Sequence, residues 1–123
     1  MKHFLIKEDQ MEKQAQFTNK KILFDESVDF PDLPGVYKFF NSKHEIIYIG
    51  KAKNIKNRVK SYFNVRKGEG KRIAKLKSSI KFIETIITNT ETDALILEQG
   101  LISKKRPPFN VQFRDDKSYP AIH

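Results

Sequence analysis

At Gly50 the spacing of apolar residues changes, and that change restricts the folds open to this chain more than any other feature. Before it, Gly35 to Phe40 (GVYKFF) and Ile46 to Ile49 are dense in aromatic and β-branched side chains, the composition of strands. Between them Asn41-Ser42-Lys43-His44 is a cluster of turn formers, so the two segments predict a β-hairpin. With those four residues as the loop, Phe40 faces Glu45, Phe39 faces Ile46 and Tyr37 faces Tyr48. That register sets the two tyrosines side by side on one face. After Gly50, Ile55, Val59, Tyr62 and Phe63 recur at helical spacing.

The remaining segments extend this mixture. Ile73, Leu76 and Ile80 mark a second basic helix, and Phe82 to Thr88 alternates as a strand. Thr90-Glu91-Thr92-Asp93 is a capping box with Asp in place of Glu, opening a helix that runs to Lys105. Pro107-Pro108 stops it. The tail from Phe109 to His123 reads as irregular with some strand character, and Asp115-Asp116-Lys117-Ser118 as a turn. Ile22–Phe24 has weak strand character. Residues 1–30 are expected to be an N-terminal extension and residues 31–123 the domain, with Pro31 and Pro34 holding an extended lead-in. The expected fold class is mixed α/β: a small central antiparallel sheet of about three strands flanked by helices.

Charge narrows the partners. The chain carries 24 Lys and Arg against 15 Asp and Glu, yet residues 51–81 hold twelve of the bases and one acid, Glu69. An excess packed into one stretch favours a polyanion, with nucleic acid ahead of a membrane surface. Any single lysine there reads first as a solvated charge, but one acid leaves no local pairing to explain the whole stretch. There is no cysteine, which removes a disulfide framework, a thiolate zinc site and a cysteine nucleophile. No run approaches the roughly 18 apolar residues of a membrane span. Met1 to Gln10 lacks the apolar core of a signal peptide, so the cytoplasm is the expected compartment.

Two constellations stand out. Glu98 has Ala94, Leu95, Leu101 and Ile102 at its helical neighbour positions, so its carboxylate sits in an apolar face. Two readings stay open on spacing alone: an acid paired or reaching the helix edge, or a metal ligand or catalytic acid. Lys51, Arg58 and Tyr62 read as a row along one helix face, about 10 Å from first to second, suited to successive phosphates. Gly50, read as lying directly before that helix, would let a phosphate approach the helix N-terminus. Tyr37 and Tyr48 taken singly are core aromatics, and His3, His44 and His123 have no ligand spacing. With no paired His and one well-placed carboxylate, neither a zinc site nor a two-metal nuclease is expected.

Gly35-Val36-Tyr37 followed by Tyr48-Ile49-Gly50 resembles the signature of the GIY-YIG nuclease superfamily. The blocks IIYIGKAKNIKNRVKSYF (46–63), TDALILEQGLISKKRPPFNV (92–111) and RDDKSYPAI (114–122) resemble, within it, the N-terminal nuclease domain of the excinuclease subunit family UvrC. The resemblance implies a DNA endonuclease using a single Mg²⁺ or Mn²⁺ held by Glu98. Catalytic positions would be Tyr37, Tyr48, Lys51, Arg58, Tyr62, Glu98 and Asn110, with Tyr48 a candidate for activating water and Asn110 for holding the site together. DNA contacts are expected from Gly50, Lys53, Lys56, Lys60, Arg66, Lys67, Lys71 and Arg72, with affinity that falls steeply with salt. The implied role is the 3′-side incision of nucleotide excision repair on damaged double-stranded DNA, with a UvrB-like helicase subunit met through regions outside these residues. Alternatives are a stand-alone nuclease of recombination or defence, or a non-catalytic DNA-binding module. The second nuclease domain and helix–hairpin–helix motifs that the resemblance implies do not follow, which leaves a fragment of a longer subunit or a short stand-alone relative, and His123 ending an unfinished strand favours the fragment. Gly100 departs from a good helix former at a cost of about 1 kcal/mol relative to Ala.

Overall fold

A computed structural model describes residues 20–64 and 67–115. Four strands, β1 (Ile22–Leu23), β2 (Gly35–Phe40), β3 (Ile46–Ala52) and β4 (Phe82–Ile87), form one sheet in the order β1-β4-β2-β3. All neighbours are antiparallel. Four helices accompany them: α1 (Ile55–Ser61), α2 (Lys71–Ser79), α3 (Glu91–Lys105) and α4 (Pro108–Asp115). The mixed fold class holds, with four strands in place of the expected three.

The hairpin forms, with a different register. Tyr37 pairs with Gly50 and Phe39 with Tyr48, each two residues beyond its expected partner, while Phe40 pairs with Ile46, one beyond Glu45. Asn41 causes half of this shift. Its main-chain N–H donates to the Glu45 carbonyl at 3.0 Å, while its side-chain oxygen accepts from the main chains of Lys43 and Glu45 at 3.0 and 2.9 Å. The loop thereby shrinks to Ser42, Lys43 and His44, the last in the left-handed region at φ 64°. The other half is an irregularity between Phe39 and Phe40, whose partners are Tyr48 and Ile46, leaving Ile47 as the extra residue of a bulge. Because side chains alternate with a period of two, an even shift keeps Tyr37 and Tyr48 on one face.

The two sheet faces bury different sets. Tyr37, Phe39, Tyr48 and Ile83 lie in a core with Ile55 and Val59 of α1, Leu76 of α2, and Phe109 and Phe113 of α4. On the opposite face Val36 and Ile49 pack under Ala94 of α3, with Leu97, Leu101 and Ile102 alongside. α3 runs unbroken through Gly100, where an added Cβ would meet open space, so no steric need dictates glycine there.

Part of the N-terminal extension expected ahead of residue 31 packs on this fold. β1 pairs with β4, and the Phe24 ring stacks on Phe63 at 4.1 Å between centroids while Phe30 is buried. One short strand and two aromatic side chains, Phe24 and Phe30, tie this segment to the sheet. The tail is corrected as well. Pro107-Pro108 ends α3, whose cap Arg106 turns left-handed at φ 46°, but Pro108 then starts α4. Proline is tolerated in a first turn because the missing N–H has no intrahelical partner there. The expected turn loses Asp115 to that helix, and residues 116–123 lie outside the described ones, as does Arg66.

Among the described residues one buried hydroxyl lacks a partner. Thr85, opposite Tyr37 across β2 and β4, is 2% exposed and its hydroxyl has no hydrogen-bond partner. Replacing it with isosteric valine removes a desolvation cost and suits a strand, so Thr85→Val should raise the unfolding free energy by about 1 kcal/mol. Urea unfolding of the two proteins checks this, and a lower midpoint for the variant would refute it.

Candidate active site

Four consecutive residues of β3 meet three of the residues singled out by sequence, Tyr37, Glu98 and Asn110. Tyr48 lies on the α1 face, its ring 6.2 Å from that of Tyr37 and 5.7 Å from that of Phe113. Ile49 points its main chain off the outer edge of the sheet, where Asn110 of α4 receives it. The Ile49 N–H donates to Asn110 Oδ1 at 2.8 Å, and Asn110 Nδ2 donates to the Ile49 carbonyl at 2.9 Å. An outer strand would otherwise leave these groups unpaired. Gly50 lies beneath Tyr37: a Cβ there would come within 2.3 Å of the phenol carbon and oxygen. Lys51, opposite Val36, lies on the α3 face, and its main-chain N–H donates to the carboxylate of Glu98.

Gly50 is therefore inside β3, not directly before a helix, and its missing side chain makes room for Tyr37 rather than for a phosphate. Gly35 is constrained similarly, since a Cβ there would lie 2.3 Å from the Ile86 carbonyl oxygen. The start of α1 is also occupied. Asn54 accepts from the Asn57 N–H at 3.0 Å, and the N–H groups of Ile55 and Lys56 donate to the carbonyls of Leu33 and Pro31. The proline-bracketed lead-in thus satisfies the helix end that was expected to receive phosphate.

α1 carries Arg58 and delivers Tyr62 as its C-terminal cap. The Tyr37 and Tyr62 hydroxyls are 2.9 Å apart. Burial pushes the Tyr37 phenol well above its ordinary pKa, with Tyr62 and Tyr48 adding to the shift and Arg58 drawing it partly back. Tyr37 therefore holds its proton within the hydroxyl pair it makes with Tyr62. Lys51 does not share a helix face with Arg58. It belongs to β3, and its ammonium lies 3.7 Å from Glu91 of α3.

α3 owes its start to Thr90, whose hydroxyl accepts from the Asp93 N–H at 3.0 Å. Starting there puts Glu98 on the stripe that meets β3, half-buried, where desolvation raises its pKa and Lys51 partly opposes the shift. Among the described residues no three His, Cys, Asp or Glu side chains group as metal ligands. Glu98 alone nonetheless fits a hard divalent ion that keeps most of its waters, because it is anionic, oxygen-bearing and half-buried, with the Lys51 ammonium in salt-bridge contact with Glu91. Of the basic residues expected on DNA, Lys53, Lys60, Lys67, Lys71 and Arg72 are exposed, whereas Lys56 pairs with Asp29 at 3.2 Å. The lone acid Glu69 pairs with Lys77 at 2.8 Å. Sequence reasoning passed over Glu91 as a dipole-favoured first-turn acid; its spacing of seven from Glu98 was the available signal.

Tyrosines from both arms of a hairpin, glycines that clear the space around them, and one helix carboxylate at the outer strand define a GIY-YIG-type domain. A family model described as a UvrC-like GIY-YIG domain matches residues 33–111, and the chain belongs to that family. The UvrABC system protein C of Acinetobacter baumannii (strain SDF) is 48% identical over 112 residues, covering 91% of this chain and 18% of that protein. Its counterpart in Pseudomonas fluorescens is 53% identical over 89 residues, covering 72% and 14%. The chain thus spans less than a fifth of the length of these curated relatives. The N-terminal endonuclease domain of UvrC from Thermotoga maritima, bound to magnesium as its catalytic divalent cation, matches with a TM-score of 0.57 and 33% identity. That match covers 81% of this chain and 94% of the Thermotoga chain. Among the described residues no helix is long and apolar enough to cross a membrane.

The direction of the Glu98 shift has a measurable consequence. A carboxyl raised above its unfolded value costs the fold nothing below the unfolded pKa, and the cost develops as pH rises towards the folded pKa. In chelator, Glu98→Gln should melt above wild type at pH 7 to 8, and the gap should close as pH falls below the ordinary carboxylate range. A variant that melts lower at neutral pH would contradict the assigned burial.

Proposed function

We propose that this domain is a divalent-metal-dependent DNA endonuclease that makes the 3′-side incision of nucleotide excision repair within a UvrC-like subunit. The observation that carries the reading is the half-buried carboxylate of Glu98, set beside Lys51, whose ammonium makes its salt-bridge contact with Glu91. A DNA-binding module has no use for a desolvated anion beside a basic surface. The Thermotoga domain, named as an endonuclease with a catalytic divalent cation, supports the same chemistry.

Glu98 would hold a single Mg²⁺ or Mn²⁺, which when bound polarises a phosphate oxygen and stabilises charge on the leaving oxygen. The side chains around it supply the rest. Arg58 and Lys51 offset the charge that develops on the phosphoryl oxygens. Tyr48, as its phenolate, accepts the proton of the attacking water, a role closed to Tyr37 because its phenol is held neutral. The Tyr37–Tyr62 hydroxyl pair orients the water and keeps Arg58 beside it. Asn110 keeps the main chain of Ile49 in place, and with it Tyr48 and Lys51. The exposed Lys53, Lys60, Lys67, Lys71 and Arg72 track the phosphate backbone of damaged double-stranded DNA. A UvrB-like helicase subunit would be met by parts of the subunit beyond these residues, in the cytoplasm.

Nicking of a lesion-bearing duplex with Mg²⁺, in the presence of the DNA-bound helicase subunit, tests the proposal. Glu98→Gln should lose more than about 100-fold in cleavage, beyond the usual outer-shell loss, while binding DNA as wild type does. Equal cleavage by the two proteins would remove Glu98 as metal ligand. Tyr48→Phe retaining full single-turnover cleavage would remove Tyr48 as base.

A further inference from the structure

Lys51 is held by two carboxylates of one helix in two different ways. Glu91 and Glu98 are seven residues apart on α3, two turns along nearly the same stripe. Ala94, between them, is fully buried against Val36 and Ile49, so the helix lies close to the sheet there. Glu98 takes the main-chain N–H of Lys51 and also feels its charge, whereas Glu91 lies 3.7 Å from the ammonium itself. The two carboxylates compete for one positive group. The contact with Glu91 draws that group towards the start of the helix.

Without Glu91, the nearest anion for the Lys51 ammonium on this stripe is Glu98. Lys51 is mostly buried, with 19% of its side chain exposed, so its charge is poorly screened and needs a nearby counter-ion. An ammonium on Glu98 would occupy the lone pairs that a divalent ion requires. We infer that Glu91 is a positioning residue for the metal site: it holds the Lys51 ammonium off Glu98 and so keeps that carboxylate open to a cation. The inference rests on Glu98 being the metal ligand. Glu91 itself touches neither the ion nor the DNA in this scheme and acts only through Lys51.

Mn²⁺ binding to the 123-residue chain, followed by calorimetry and by the electron paramagnetic resonance of the free ion, tests it in a double-mutant cycle. Glu91→Gln keeps the side-chain length, and the Thr90 cap remains, so α3 retains its start. In the wild-type background Glu91→Gln should weaken Mn²⁺ about five-fold or more, the size of an ordinary coupling between neighbouring charges. Lys51→Met should tighten Mn²⁺, and in that background Glu91→Gln should change it less than about two-fold. An equal loss in both backgrounds would mean that Glu91 attracts the ion directly, which overturns the inference. Unchanged affinity of Glu91→Gln in the wild-type background overturns it too. Glu98→Gln serves as the separate check on the underlying reading: if it leaves Mn²⁺ binding intact, the metal assignment fails whatever Glu91 does.

Discussion

A phenol lying across a glycine organises this domain. The Tyr37 ring occupies the space in which a Gly50 side chain would stand, and that contact is possible only in the register that pairs the two residues. Two residues earlier in β3, Tyr48 packs beside the same ring. Tyr62 reaches it from the end of α1 and shares a hydrogen bond with its hydroxyl. Strand register, the seating of α1 and the protonation state of the central phenol are therefore one fact seen from three sides. Any slip of the hairpin by one residue would send Tyr48 to the α3 face and leave Tyr37 against a side chain.

The outer edge of β3 turns that packing into a site. An outer strand has unpaired main-chain groups, and here three are used: Asn110 takes both groups of Ile49, and Glu98 takes the N–H of Lys51. The carboxylate is thus anchored to rigid sheet backbone instead of to another mobile side chain. Its charge remains costly because it is half-buried, which is what makes a cation a welcome partner. The same device that protects the edge from pairing with another strand builds the pocket wall.

Much of this was legible in the sequence for identifiable reasons. Helix α3 announced itself through Thr90 and Asp93 at its start and the double proline at its end, and Glu98 stood out as an acid among apolar helical neighbours. Other features were hidden. The sequence marks Asn41 only as a turn former, and nothing in its spacing says that its side chain will bridge Lys43 and Glu45 and shorten the loop. Pro108 carries two local meanings, terminator and first-turn residue, and only Phe109 and Phe113 packing beside Tyr48 selects the second. Lys51 looked like the first member of a helical row because strand β3 runs two residues past Gly50.

Local chemistry along the chain determined the element types, the position of the basic stretch and the identity of the single well-placed carboxylate, because propensity, periodicity and capping act within a few residues. Tertiary structure decided the register, the purpose of Gly50, the neutrality of the Tyr37 phenol and the division of Lys51 between Glu91 and Glu98. Each of those depends on groups brought together from separate segments, and on a loss of solvent that no single segment produces alone. The positive charge of residues 51–81 was visible from composition, but which lysines stay free of acids was not. Lys56 meets Asp29 and Lys77 meets Glu69 only because the chain folds back to bring them together.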